Sequence, residues 1–435
     1  MKQTFATIFF LLTISFLFAQ PKVDDLINAK EVERIERTLS SDDMRGRRTF
    51  TPDIDRAADF IAGEFKKIGL QTFNNSKGYK QEFALVRPKF ISASATFDGN
   101  AIDPKNIIVI TCQADLHIDE KSGYSFANIK AGENLSSAAS KFIRANKNTI
   151  VFVDNSFASN FLRLTNFKRS IFKTDKNFVF VLADAVPSKF EIEAKHEITE
   201  QSLANVVGVL PGKSPPAGQA GKKDEYVIFS GHYDHLGVGK PVNGDSIYNG
   251  ANDDAAGTTA VIMLAKYFKA LGNNERTIVF AAFTAEEIGG FGSQYFSRQF
   301  DPAKVVAMFN IEMIGTESKW GRNSAYITGF EKTDMGSILQ KNLEGTGFNF
   351  YPDPYPEQQL FYRSDNATLA RLGVPAHTIS TSKMDSEPNY HKVSDQIETL
   401  DMDNMAMIIK SIALSSQTIV SGKDMPTRVN VEELR

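Results

Sequence analysis

The stretch between Tyr226 and Gly315 constrains this chain more than any other. It reads YVIFSGHYDHLG, NGANDDAAG, IVFAAFTAEEIGGFGS and VVAMFNIEMIG in succession. The apolar runs have the length and composition of buried parallel strands. Each ends in a His or a carboxylate, and a Gly-containing loop follows. Ligands of open α/β sheets bind at the carboxyl ends of the strands. The endings therefore bring His232, Glu286, Glu287 and Glu312 to one edge, and the loop before a helix starting near Ala255 adds Asp253 and Asp254. One imidazole among several carboxylates is, by composition, a zinc or hard-metal site. A single acidic residue at a strand end is ordinarily a helix cap or a solvated charge. Repetition at successive strand ends does not fit that explanation. Adjacent Glu286 and Glu287 repel each other unless a cation or a proton separates them. A metal ion plus a general base accounts for both.

The rest of the chain supports a large enzyme-like fold. With 435 residues, of which 42% are hydrophobic, there is material for one large or two moderate domains. A net charge of −3 leaves no footprint for nucleic acid or an anionic membrane surface. The single cysteine, Cys112, excludes an internal disulfide and reads as a small buried hydrophobe. Residues 1–19 are expected to be a signal peptide. Lys2 precedes the apolar run FATIFFLLTISFLFA, which ends on the small Ala19. An exported chain, periplasmic or extracellular, would then begin near Gln20. No second long apolar run occurs, so no membrane contact is expected after signal removal.

Residues 20–87 are expected to be mainly helical. Ile27, Val32, Ile35 and Leu39 recur at helical spacing, as do Ala57, Phe60, Ile61 and Phe65. Residues 88–200 differ, with the short β-like runs ISASATF, NIIVITC, TIVFVD and FVFVLAD separated by polar loops. They read as a small inserted α/β or β-rich domain in which His117 and His196 stand alone. PGKSPPAGQAGKKDE (211–225) is a loop by its Pro and Gly content. After Gly315, SAYITG reads as a strand, TDMGSILQKNLEG as a helix and GFNFYPDPYPEQQL as a long loop. SDNATLARLG follows as a helix capped by Ser364 or Asp365. VPAHTIST is a strand, YHKVSDQIETLD a loop, and MDNMAMIIKSIALSSQTIV the closing helix. The fold class is α/β.

GHYDHLG, NGANDDAAG, TAEEIGGFGS, NIEMIG, RSDNATLARLGVPA and NYHKVSD, in this order, resemble the exported zinc aminopeptidases of metallopeptidase family twenty-eight. The likeness spans about 203–420, together with the helical segment ahead of the insert. It implies a mixed, mostly parallel sheet between helices (the zinc exopeptidase, phosphorylase/hydrolase-like fold), with a di-zinc peptidase domain over 201–425. It also implies two Zn2+ ions. By resemblance His232 is a ligand of one zinc and His391 of the other, Asp253 bridges them, and Glu287 and Glu312 complete the two sets. Glu286 resembles the general base, and Asp234 the partner that orients His232. Chemistry agrees with each role. A ligand His needs its other nitrogen fixed. A co-catalytic pair needs a bridging carboxylate and water. A base beside that water can later hand the proton to the leaving amine.

The chain departs from the family pattern in three places. Glu312 stands where Asp is frequent, and Asn366 where His often follows the Ser-Asp pair. The oxyanion-stabilising Tyr of some members falls near Phe361 and Tyr362, which makes Tyr362 the candidate. His235 and His377 are expected to be structural, since the ligand set is complete without them. The expected function is an exported exopeptidase that removes N-terminal residues from peptide substrates. A carboxypeptidase or dipeptidase is the alternative, with Arg363 to hold a free carboxylate. The transferrin-receptor branch of the same fold represents a metal-free binding protein, and the intact ligand positions argue against that reading.

Overall fold

The computed structural model describes residues 22–213 and 221–434. The expected signal peptide lies outside them. Two compact units form. One holds the residues up to Arg48, Asp53–Tyr79 and the chain from Val206 onward; the other holds Thr49–Pro52 and Lys80–Asn205. Among the described residues, no helix is long and apolar enough to cross a membrane.

The first unit is built on one mixed sheet. Its strands lie in the order Asn349–Pro352, Ser324–Ile327, Ala376–Ser380, Val305–Ile311, Tyr226–His232, Thr277–Phe283, and then residues 206–210, which end the long strand Phe190–Leu210. Tyr226–His232 pairs in parallel with Thr277–Phe283 on one side and with Val305–Ile311 on the other. Ala376–Ser380 continues the parallel set. Ser324–Ile327 and residues 206–210 run antiparallel to their inner neighbours.

Both faces of this sheet are covered, which explains why its central strands are continuously apolar. Alternate residues serve opposite cores. Val227 and Phe229 join Ile278, Phe280 and Ala282 on one face, while Ile228 joins Val279, Ala281 and Phe283 on the other. Helices Ala29–Leu39, Ala256–Leu271 and Met402–Ser415 supply the first face with Ile35, Val261, Phe268 and Ile409. Phe296 and Leu369, from Phe291–Ser297 and Asn366–Ala370, supply the second. At the centre Phe229 stacks on Phe268, Phe280 and Phe309, with centroids 4.8–5.8 Å apart.

Two local expectations change. The segment read as a long loop contains the strand Asn349–Pro352, because pairing with Ser324–Ile327 outweighs its prolines. The helix expected over 364–373 is only Asn366–Ala370, and neither Ser364 nor Asp365 caps it through a side-chain hydrogen bond. The Ser364 hydroxyl is engaged elsewhere, donating to Glu312 and accepting from Asn310.

The second unit carries its own four-stranded sheet, ordered Ile107–Ile110, Phe178–Leu182, Thr149–Val153, Ser125–Ile129. The helix Leu135–Arg144 packs Leu135 and Ala139 into one of its cores. It is thus an α/β unit. His117 lies 3.6 Å from Glu193, its cross-strand neighbour, and is exposed, whereas His196 is buried.

Candidate metal centre

Three adjacent parallel strands end at the site. Tyr226–His232 finishes on His232 itself. Glu286 and Glu287 stand three and four residues beyond Phe283, and Glu312 directly follows Ile311. The loop entering helix Ala256–Leu271 contributes Asp253, and His391 comes from the loop after the strand Ala376–Ser380. Ala285, Met313 and His391 each adopt a positive φ of 54–61°. Non-Gly residues held in this region concentrate at functional sites, where the surrounding structure over-determines them.

The structure brings all five expected ligands together in two overlapping sets. His232 Nε2 lies 3.2 Å from Asp253 Oδ1, and with Glu312 these two form a compact group able to hold a metal ion. His391 Nε2 lies 3.1 Å from Asp253 Oδ2 and 3.2 Å from Glu287 Oε2. Asp253 is therefore common to both sets, one oxygen facing each. Among the described residues its Oδ2 has no hydrogen-bond partner, although His391 Nε2 is so near. Atoms that face a shared point, rather than each other, are arranged as ligands. Among the described residues, no Lys or Arg forms an ion pair with Asp253, Glu286, Glu287 or Glu312.

The electrostatics ask for a cation. Burial, followed by the nearby Glu312 and Asp365 charges, pushes the Glu286 carboxyl well above its usual range. Burial raises Glu312 to about 7, with Asp253 adding repulsion. Burial opposes the charging of His232, yet the adjoining Asp253 and Glu286 carboxylates hold its imidazole well above its ordinary value. The adjoining Asp253 and Glu287 carboxylates raise His391 to about 10. Left to itself, the cluster must gather protons. Divalent zinc is suited to this set of imidazole nitrogens and carboxylate oxygens, so the residues fit the metal.

The residues around the ligands are themselves held. His232 Nδ1 bonds to the Asp234 carbonyl at 3.1 Å, and the Asp234 carboxylate is 3.8 Å away. Asp234, the expected partner of His232, thus meets the ring through its main-chain carbonyl. The carboxylate points the other way and accepts the backbone N–H groups of Glu286 and Glu287. A carboxylate at a turn satisfies unpaired amides better than it reaches a ring two residues back. Asp254, joined to Asp253 by a cis peptide, accepts from the amides of His232, Gly257 and Met313. Gly257 must lack a side chain here, since a Cβ would sit 2.1 Å from the Ile311 carbonyl and 2.3 Å from the Asp254 carboxylate.

A cavity of about 80 Å³ opens onto Asp253, Glu286, Glu312 and His391. Met313, Leu360 and Met384 make its apolar wall, Thr328, Thr378 and Ser380 its hydroxyl wall, and Arg363 is the one Lys or Arg lining it among the described residues. The tyrosines on it are Tyr326 and Tyr390. Tyr362 is not among its walls and packs edge-on against Phe361, 5.2 Å between centroids. Tyr390 stacks on the His391 ring at 4.0 Å. Burial and the carboxylates nearby push its phenol well above the ordinary value, which keeps it a donor. Sequence reading did not single out Tyr390, although it immediately precedes His391.

His235 and His377 divide. His377 is a core anchor, hydrogen-bonded to the Thr328 carbonyl and the Thr333 hydroxyl. His235 is nearer the chemistry: its Nδ1 is 2.8 Å from Glu287 Oε1, and it can group with Asp253 and Glu287 around an ion. The repeated His of HYDH was the available signal.

Residues 205–415 match the model of Peptidase family M28. A probable leucine aminopeptidase of Trichophyton verrucosum is 28% identical over 211 residues, 46% of this chain and 53% of that protein. A probable zinc metalloprotease of Pyrenophora teres f. teres is 34% identical over 247 residues, 53% of this chain and 51% of that protein. The chain thus spans about half the length of the curated relatives it matches. In fold it is similar to the aminopeptidase from Aneurinibacillus sp. strain AM-1, with TM-score 0.55 and 15% identity over 95% of this chain and 98% of that one. It is likewise similar to a zinc aminopeptidase from Bacillus subtilis, with TM-score 0.53 and 17% identity over 94% and 98%. Residues 205–415, just under half of this chain, are thus similar to Peptidase family M28.

Proposed function

We propose that this chain is an exported aminopeptidase, a zinc-dependent exopeptidase that removes N-terminal residues from peptides. The observation that carries the reading is the pair of ligand sets sharing Asp253, with Glu286 beside them and outside both. His232, Asp253 and Glu312 would hold one ion, and Asp253, Glu287 and His391 a second. When bound, zinc supplies Lewis-acid polarisation of a carbonyl and of a water.

The chain's own groups do the rest. Glu286 takes the proton from the water that attacks the scissile carbonyl, then delivers it to the departing amine nitrogen. Acid–base duty of this kind suits a carboxyl whose affinity for protons is raised by burial. The Tyr390 phenol, kept protonated, donates to the carbonyl oxygen as that atom gains charge. Asp234 fixes the backbone of Glu286 and Glu287 so that base and ligand keep their separate directions. Met313, Leu360 and Met384 form a small apolar recess suited to one substrate side chain. Export rests on the expected signal peptide at residues 1–19.

Arg363 on the cavity wall favours a second reading, a carboxypeptidase or dipeptidase, because it could pair with a free carboxylate. One peptide tested in three forms separates the two. Acetylating the amine should abolish cleavage, while amidating the C-terminus should leave it. The opposite pattern overturns the aminopeptidase reading in favour of the second.

A further inference from the structure

Arg47 lies outside the matched family region and is fully buried. Its guanidinium donates only to main-chain carbonyls: Nε to Tyr233 at 2.7 Å, Nη1 to Leu39 and Asn249 at 2.6 Å each, and Nη2 to Gly250 at 2.8 Å. Its own carbonyl accepts the His235 amide at 3.3 Å. No carboxylate forms an ion pair with it among the described residues. Burying a cation this way is costly, and the arrangement persists because the carboxylates of Glu36, Asp395, Asp234 and Asp253 surround it.

The carbonyls it grips have a specific relation. Between His235 and Asn249 the chain leaves the site as a hairpin, Gly237–Val242 with Asp245–Tyr248. Tyr233 and His235 stand at the outgoing foot, and Asn249 and Gly250 at the returning foot. Arg47 ties the two feet together. His232 lies one residue before the first foot and Asp253 three residues after the second, and their ligand atoms are 3.2 Å apart. The fit of this segment is close: a Cβ on Gly46 would stand 2.3 Å from the Tyr248 carbonyl and 2.8 Å from Gly237 Cα. Arg45, Gly46 and Arg47 all take positive φ to achieve it. A rigid guanidinium with five donors can span three chain segments, which a lysine ammonium cannot.

We infer that Arg47 is a positioning residue for the metal centre: by clipping the feet of the hairpin it sets the spacing of His232 and Asp253. This rests on the metal reading given above. The test compares the full chain with Arg47→Gln and Arg47→Lys, measuring zinc affinity by chelator competition, the visible spectrum of the cobalt-substituted protein, and kcat and KM separately. Arg47→Gln should weaken zinc by about tenfold or more, the usual effect of losing a group that orients ligands. It should also shift the cobalt bands and lower kcat more than it raises KM. Arg47→Lys, which keeps the charge but not the fork, should fall between. Folded variants with unchanged zinc affinity and cobalt spectrum overturn the inference. So does failure of both variants to fold, since Arg47 would then serve folding at large. Absence of zinc binding in the unaltered chain would instead refute the metal reading.

Discussion

Asp395 holds the main chain of Asp253. Its Oδ2 accepts the Asp253 amide at 3.0 Å, and its Oδ1 accepts the preceding Asn252 amide at 2.8 Å. Asp395 stands four residues after His391, so one loop supplies an imidazole to one set and also holds the main chain of the residue common to both. Asp395→Asn keeps the size but can accept only one of these amides. Zinc affinity should fall about 10- to 100-fold, in the range for groups that orient ligands. Unchanged affinity by chelator competition would mean that Asp253 needs no such support.

Glu286→Gln isolates the proton transfer. The amide matches the carboxylate in size and cannot accept the proton. Zinc content should stay near normal while kcat drops by at least ~10²-fold. Loss of zinc instead would show that Glu286 and Glu287 have exchanged roles.

Metal content tests the two sets. The chain should hold two zinc ions at neutral pH. His232→Ala and His391→Ala should each lose metal, since each imidazole serves a different side of Asp253. Full zinc occupancy and turnover in Asp253→Ala would contradict the sharing of that carboxylate.

Tyr390 and Tyr362 predict different outcomes. Tyr390→Phe should lower kcat by roughly 10- to 10³-fold with little change in KM, as expected for a donor to developing charge. Tyr362→Phe should leave kcat within about twofold, because its ring packs with Phe361 away from the cavity walls. Equal losses in both would remove the distinction.

His232, Glu286, Glu287 and Glu312 were legible as a cluster because apolar runs that bury both faces stop abruptly on them, whereas His391 came only from the family resemblance. The residues that hold the ligands were not legible. Arg47 sits in RGRR among equally basic neighbours, and nothing local shows which one turns inward. Asp395 is one polar residue in a loop, and its partners lie some 140 positions earlier. Tyr390 carries no local signal beyond standing next to His391. A positive φ at His391 folds the two rings onto each other, so adjacent residues share the cavity. The Asn349–Pro352 strand was obscured by its prolines, and only a neighbouring strand reveals it.

His377 gives the fold an acid limit separate from the metal site. It is buried and kept neutral by burial, which pulls it from 6.5 to about 4 against the opposing help of the Thr328 carbonyl and Glu331; Lys332 acts with burial. Above pH 6.5 the imidazole is neutral in both folded and unfolded chains, and its contribution is complete. As pH falls below 6.5 the unfolded chain gains a proton that the folded chain refuses, so stability declines until about pH 4. The shift corresponds to about 3 kcal/mol over that window, at 1.4 kcal/mol per unit. His377→Asn retains an N–H for the Thr328 carbonyl and cannot titrate. Denaturant unfolding of both proteins without metal, at pH 7 and pH 4.5, isolates the effect. The unaltered chain should lose about 2–3 kcal/mol more than the variant between those values. Equal losses would show that His377 is not held neutral in the folded state.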